Sequence, residues 1–328
     1  MEPANFALSL SGFFIPGNCT KGKSHPSMAI SDLHERFKHV SKPLKPIDTN
    51  TTPRLSRLVN IRVIAYDFYG TLFLSGVGDI GVDDGNYDSD ALLKALESAE
   101  IPVIHDDAGN KGFEFYNEVV DKMINILKSE GIQYPEPDIR EVWLQVLQRL
   151  KEQSLIGGSI SEEAAGRMSV EFEARMNPVW PVPDAVQTLI HFKERGLAQG
   201  IISNSQFYTP IVLEALSGHT LEELGLKDEL LHWSFEEKMK KPGLTFYENF
   251  IKKLNSFDPA ISPSEVLYVG NDMLKDIYPA RELGMKTALF AGDQRSLKWR
   301  KEDERCKTLQ PDLIITKFVH LVECVDIH

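Results

Sequence analysis

Cysteine is scarce in this chain: Cys19, Cys306 and Cys324 stand far apart, and none is in the paired C-x-x-C spacing that holds zinc. That excludes a disulfide framework and a thiolate metal cluster, and fits a reducing, cytoplasmic setting. Long apolar runs are also missing. None approaches the ~18 residues that cross a bilayer. The apolar stretch Phe6-Ala-Leu-Ser-Leu-Ser-Gly-Phe-Phe-Ile15 has no basic leader, so neither a membrane span nor secretion is expected. Positive charge is in deficit, with 36 Lys and Arg against 48 Asp and Glu for a net −12. No run of Lys and Arg is long enough to track a phosphate backbone, which disfavours nucleic acid and leaves a small molecule as the default partner. Oligomeric state has no signature in the sequence.

What is present suits a globular protein. The 328 residues, 42% apolar and 26% charged, allow one α/β core and a smaller second unit. Residues 1–60 are rich in Ser, Pro, Thr, Asn and Lys, with one short helical pattern around Ile30 to Val40, and read as a largely irregular extension. Met28 is expected as an alternative start, because no periodicity precedes it. At Ile61-Arg-Val-Ile-Ala-Tyr-Asp67 a β-branched run ends in an acid, the form of a buried parallel strand. The acidic loop Asp79, Asp83, Asp84, Asp88 and Asp90 follows; it could gate a site or be solvated surface. From about 88 to 176 the apolar period is helical, as in Val142, Trp143, Val146, Leu147 and Leu150. Beyond Pro181, helices alternate with the strand-like runs Gln199–Asn204, Glu265–Gly270, Lys286–Phe290 and Asp312–Ile315, with a helix at Leu274–Leu283.

Four segments place polar groups where a parallel sheet lets them converge. In Asp67-Phe-Tyr-Gly-Thr71, an aspartate on a sharp turn suits a covalent nucleophile, or simply caps the turn; Thr71 can bond nearby backbone. Ser203 and Asn204 follow an apolar strand and can donate to an anionic substrate, or form an ordinary turn. In Lys240-Lys241-Pro242-Gly243, the proline favours an extended Lys241 before a helix at Thr245–Leu254, where an ammonium could hold a carboxylate ionised; the bland alternative is a solvated lysine pair. In Tyr268-Val-Gly-Asn-Asp272-Met-Leu-Lys-Asp276, two carboxylates stand one helical turn apart beside an amide. With Asp67 they could form a hard magnesium site, or Asn271 or Asp272 could cap the helix.

In this order the segments resemble the haloacid dehalogenase (HAD) superfamily of hydrolases, over roughly residues 61–73 and 180–318. The resemblance implies an α/β, Rossmann-like, three-layer parallel-sheet core at 61–73 and 181–328, with a mostly helical cap inserted at 74–180. It implies Asp67 as nucleophile, Ser203 as the substrate-binding hydroxyl, Lys241 as the motif-three lysine, and Asp272 with Asp276 as the motif-four acids. Asp67, Tyr69, Asn271, Asp272 and Asp276 become the candidate magnesium-holding set, and Asp67, Tyr69 and Lys241 the catalytic set. Thr71, Ser203, Asn204 and Tyr247 are the substrate-facing candidates.

One position departs from the phosphatase pattern. Two residues after the nucleophile, most phosphatases of the superfamily carry an acid/base Asp; here it is Tyr69. A phenol near pKa ~10 is a poor base at neutral pH, and a lost acid/base removes about 10²–10⁴ in rate. Tyr69, Ser203-Asn204 and Tyr247 resemble the metal-independent 2-haloacid dehalogenase branch instead, whereas Asn271-Asp272 is more acidic than that branch. Magnesium-dependent hydrolysis of a small phosphorylated metabolite is expected first, dehalogenase-like hydrolysis second, and a non-catalytic binding fold third.

Overall fold

A computed structural model describes residues 30–77 and 89–326; Cys19, Met28, and Asp79, Asp83, Asp84 and Asp88 of the acidic loop lie outside the described residues. The chain enters through helix α1 (Ile30–Val40), whose Phe37 is buried against Tyr208. Residues 41–60 carry no helix or extended strand but are pinned to the far end of the chain. Ile47 N donates to Asp293 Oδ1 at 2.8 Å, and Arg54 exchanges main-chain bonds with Ile314. Strand β1 (Val63–Tyr66) is buried at all four residues, as a central parallel strand covered on both faces must be.

A short β2 (Phe73–Ser75) leads outward to four helices, α2 (Ser89–Ser98), α3 (Ala108–Ser129), α4 (Ile139–Glu152) and α5 (Glu162–Met176), and β3 (Val179–Pro181) returns antiparallel to β2. The helices bury an apolar cluster of their own, centred on Leu96, Phe113, Trp143 and Phe172. Asp138 and Ser161 cap α4 and α5 by accepting from Arg140 N and Ala164 N, which fixes where each helix starts. α1 reaches this layer as well, since Arg36 and Arg175 both bond the buried carboxylate of Glu171 on α5.

The chain then alternates through α6 (Ala185–Glu194), β4 (Ala198–Ser203), α7 (Thr209–Ser217), β5 (Leu226–Trp233), α8 (Ser234–Glu237), α9 (Leu244–Phe257) and β6 (Val266–Gly270). A π-helical turn (Met273–Ile277), α10 (Tyr278–Glu282), β7 (Lys286–Phe290), β8 (Leu313–Ile315) and α11 (Val319–Cys324) complete it. The six-stranded sheet has the order β5-β4-β1-β6-β7-β8 with parallel pairing throughout. Along β1 the faces alternate: Ile64 and Tyr66 join the side of Phe192 and Phe318, Val63 and Ala65 the side of Phe246 and Ala280. This is the expected three-layer α/β core. Its order reverses at β1, so a crevice opens beyond the carboxyl ends of β1, β4 and β6.

The expected helix at Leu274–Leu283 needs correction. The first turn is π-helical, with Ile277 N reaching Asp272 O at 3.2 Å, and only Tyr278–Glu282 is α. Asp272 and Asp276 are therefore separated by a widened turn.

On β5, His232 is fully buried; its Nε2 donates to Phe246 O at 2.7 Å and its ring lies 4.2 Å from that of Phe246. Burial, then the charge of Lys253, lowers its pKa from 6.5 to about 4. Between those values the unfolded chain takes up a proton that the folded chain refuses, so the contribution of His232 to stability should fall as pH drops from about 6.5 to 4, by up to about 3 kcal/mol. Urea midpoints of the wild type compared with those of His232→Gln should diverge across that window by this amount, a difference from which the opposing contribution of Asp276 cancels.

Candidate active site

β1 delivers Asp67 to the switch point, where Asp67 N donates to Val269 O at 2.9 Å. The turn that follows is tight. Gly70 sits at φ +80°, and a Cβ there would fall 2.6 Å from Ser296 Cβ and 2.8 Å from Asn271 Nδ2, so glycine is required on both counts. Asp67 is 6% exposed. Its Oδ1 accepts from Ser203 Oγ at 3.0 Å and from Lys241 Nζ at 2.7 Å. Among the described residues no hydrogen bond reaches Oδ2, so one oxygen is held and the other is open to chemistry.

Lys241 is the hub. Its ammonium, 3% exposed, also donates to Asp276 Oδ1 at 2.6 Å and to Tyr268 Oη at 3.2 Å. Burial alone would lower its pKa, but Asp276 and Asp67 outweigh that and raise it, so the lysine is charged. Its main chain is held by Asn204, whose Oδ1 accepts from Lys241 N at 2.8 Å, and the Lys241–Pro242 peptide is cis. Asn204 thus positions the lysine loop through its backbone, a use the sequence did not suggest.

Asp276 is committed on both oxygens. Oδ1 takes Lys241, and Tyr268 at 3.2 Å; Oδ2 takes Asn271 N at 3.0 Å and Asp272 N at 2.9 Å. Burial raises its pKa to about 6 against the pull of Lys241, which leaves it ionised at pH 7. A Cβ on Gly270 would lie 2.4 Å from the Asp276 side chain, so the end of β6 must be glycine for this carboxylate to fold back. Asp272 is likewise occupied. Its Oδ1 caps the turn by accepting from Leu274 N and Lys275 N, and Arg300 grips it through Nε at 3.1–3.2 Å and Nη2 at 2.7 Å. Asn271 donates from Nδ2 to Ser296 O at 2.7 Å, which turns Oδ1 toward the Thr71 hydroxyl at 2.9 Å.

Two expected residues, Tyr69 and Tyr247, make no hydrogen bond to Asp67 among the described residues. The Tyr69 hydroxyl bonds Thr209 Oγ1 at 3.1 Å. Burial, then the charge of Glu173, raises the phenol well above its usual pKa, so at neutral pH it stays protonated and is no base. Tyr247 donates its hydroxyl to Lys275 O at 2.8 Å and so braces the π-turn.

The magnesium set shrinks accordingly. Among the described residues no three His, Cys, Asp or Glu side chains group to hold a metal ion. Asp276 is saturated, Asp272 is paired, and the Tyr69 phenol is engaged elsewhere, leaving that residue only its main-chain carbonyl. What remains for a hard cation is the Asp67 carboxylate, Asn271 Oδ1 and the Tyr69 main-chain carbonyl, one charged group and two neutral oxygens. That small oxygen set is compatible with an ion that keeps several waters and takes further oxygens from a substrate. Arg300, Tyr268 and Ser296 carry no motif signal, because their partners stand at unrelated distances along the chain, from 8 residues for Tyr268 and Asp276 to 66 for Tyr268 and Ile202.

The glyceraldehyde 3-phosphate phosphatase of Methanocaldococcus jannaschii is 25% identical over 209 residues, 63% of this chain and 80% of that protein. The ribulose-1,5-bisphosphate 5-phosphatase of Halopiger xanaduensis is 31% identical over 146 residues, 44% of this chain and 56% of that protein, so the chain matches only about half of that relative's length. A 2-haloacid dehalogenase from Pseudomonas syringae pv. Tomato superposes with a TM-score of 0.48 at 18% identity, covering 80% of this chain and 97% of that one. No helix among the described residues is long and apolar enough to cross a membrane. The family model for haloacid dehalogenase-like hydrolases matches residues 61–284, which is most of the chain, and the chain belongs to that hydrolase family.

Proposed function

We propose that the protein hydrolyses a small phosphate ester through a covalent aspartyl intermediate on Asp67, with α2–α5 (residues 74–180) acting as a cap over a core formed by 61–73 and 181–328. The observation that carries this reading is the asymmetric Asp67 carboxylate, with Oδ1 fixed by Ser203 and Lys241 and Oδ2 open. The phosphatase names of the two relatives support a phosphoryl substrate. Oδ2 attacks phosphorus, the bond to the leaving oxygen breaks, and water then attacks the acyl phosphate, releasing phosphate and restoring Asp67. Lys241 offsets the charge of the nucleophile and of the substrate, while the Ser203 hydroxyl sets the orientation of Asp67. Magnesium, held by Asp67 and Asn271, would neutralise charge on the phosphoryl oxygens.

Tyr69 restricts the leaving group. With a phenol whose pKa is raised well above its usual value and whose hydroxyl is paired with Thr209, residue 69 is too weak an acid to protonate the departing oxygen. Esters whose leaving group departs as a stable anion should be the better substrates. A second reading draws on the same observation: a halide needs no proton, and Tyr69 suits a 2-haloacid substrate equally well. Aryl, acyl and alkyl phosphates and short 2-haloacids, assayed with and without a chelator and with Asp67→Asn as the blank, separate the two. Phosphate release that rises as the leaving-group pKa falls, and that drops on chelation, is the expected result. Halide release indifferent to chelation would favour the second reading, and alkyl phosphates cleaved as fast as aryl ones would count against the role given to Tyr69.

A further inference from the structure

Arg300 stands 28 residues beyond Asp272, yet its guanidinium binds that carboxylate through Nε and Nη2, the planar fork in which arginine pairs most strongly. The pairing is built in. Lys298 N donates to Asn271 O at 3.0 Å and Met273 N to Lys298 O at 2.9 Å, so the loop carrying Arg300 runs alongside the start of the π-turn. Arg300 itself sits at φ +50°, a left-handed conformation that non-glycine residues adopt only where the surroundings impose it. Asp272 is 3% exposed and would otherwise present a third carboxylate beside Asp67 and Asp276.

Resting on the magnesium reading above, we infer that Arg300 is a positioning residue that takes the place of a metal at Asp272, so that a divalent cation at this site is held with the charge of Asp67 alone. Asp272 is then a capped, neutralised brace, and the demand of the site for magnesium is set by an arginine outside the four motifs. Removing the guanidinium frees Asp272 Oδ2, which has Arg300 as its one hydrogen-bond partner among the described residues. The negative potential around Asp67 then rises.

The test is magnesium binding by calorimetry to the full chain without substrate, in wild type, Arg300→Ala, Asp272→Asn and the double variant. Asparagine still caps a helical turn, so Asp272→Asn should fold. Arg300→Ala is expected to bind magnesium about tenfold more tightly or better, the effect of unmasking one carboxylate near a divalent ion. Asp272→Asn leaves the Arg300 charge unpaired and should weaken binding by a similar factor, whereas Asp272→Asn combined with Arg300→Ala removes both charges and should change the affinity by less than about twofold, since Asp272 does not ligate. If Arg300→Ala is unstable in a thermal melt, Arg300→Gln, which keeps the side-chain stem, carries the same expectation. Unchanged or weaker binding on loss of Arg300 alone, or lost binding in the double variant Asp272→Asn with Arg300→Ala, would overturn the inference. A wild type with no detectable binding removes the magnesium part of the proposed function; the inference then stands if loss of Arg300 creates a site and falls if it does not.

Discussion

Asp67→Asn is expected to lower kcat by about 10⁴-fold or more while leaving the fold intact. The substitution is isosteric, and Asn Oδ1 can still accept from Ser203 and Lys241, the two groups that hold the native carboxylate. What disappears is the charged oxygen that attacks. Steady-state hydrolysis of the best substrate in the panel, beside thermal melts and phosphate binding, checks this. Near-native activity in a folded Asp67→Asn protein would remove Asp67 from the chemistry.

Lys241→Met is expected to cost about 3–5 kcal/mol of stability as well as activity, because it strands two buried carboxylates beside each other. Against a total stability of about 5–15 kcal/mol, that is a large fraction of the margin. Most of the cost should lie in the uncompensated charge rather than in lost packing. Adding Asp276→Asn to Lys241→Met should therefore return part of the stability and none of the activity. Chemical denaturation of the two singles and the double closes the cycle. If the double is no more stable than Lys241→Met alone, the charge account of this cluster is wrong.

The core was legible because its strands are short apolar runs, as β1, β4, β6, β7 and β8 all are, and β1, β4 and β6 also end in polar groups. Strand β5 did not: Lys227, Asp228 and Glu229 are exposed on an edge strand, so Leu226–Trp233 carries no buried-strand pattern. Strands β2 and β3, three residues each, are too short to show an alternation. In the site, Asp67, Ser203 and Lys241 were legible as a converging set, and the structure brings them within hydrogen-bonding distance. Spacing alone could not foresee how the remaining polar residues divide. Asp276 serves Lys241 and two main-chain amides, Asp272 serves a helix start and Arg300, and Asn204 serves the Lys241 backbone. Those assignments depend on a π-turn and on a loop near residue 300, both set by tertiary packing rather than by local pattern.

The account rests on a covalent bond forming at Asp67. Acid-quenched single-turnover reaction followed by peptide mass spectrometry tests it most directly. A phosphoryl adduct on the peptide containing Asp67, absent from Asp67→Asn, is the expected result. Turnover with no adduct on that peptide at any quench time, and a rate that survives Asp67→Asn, would contradict it.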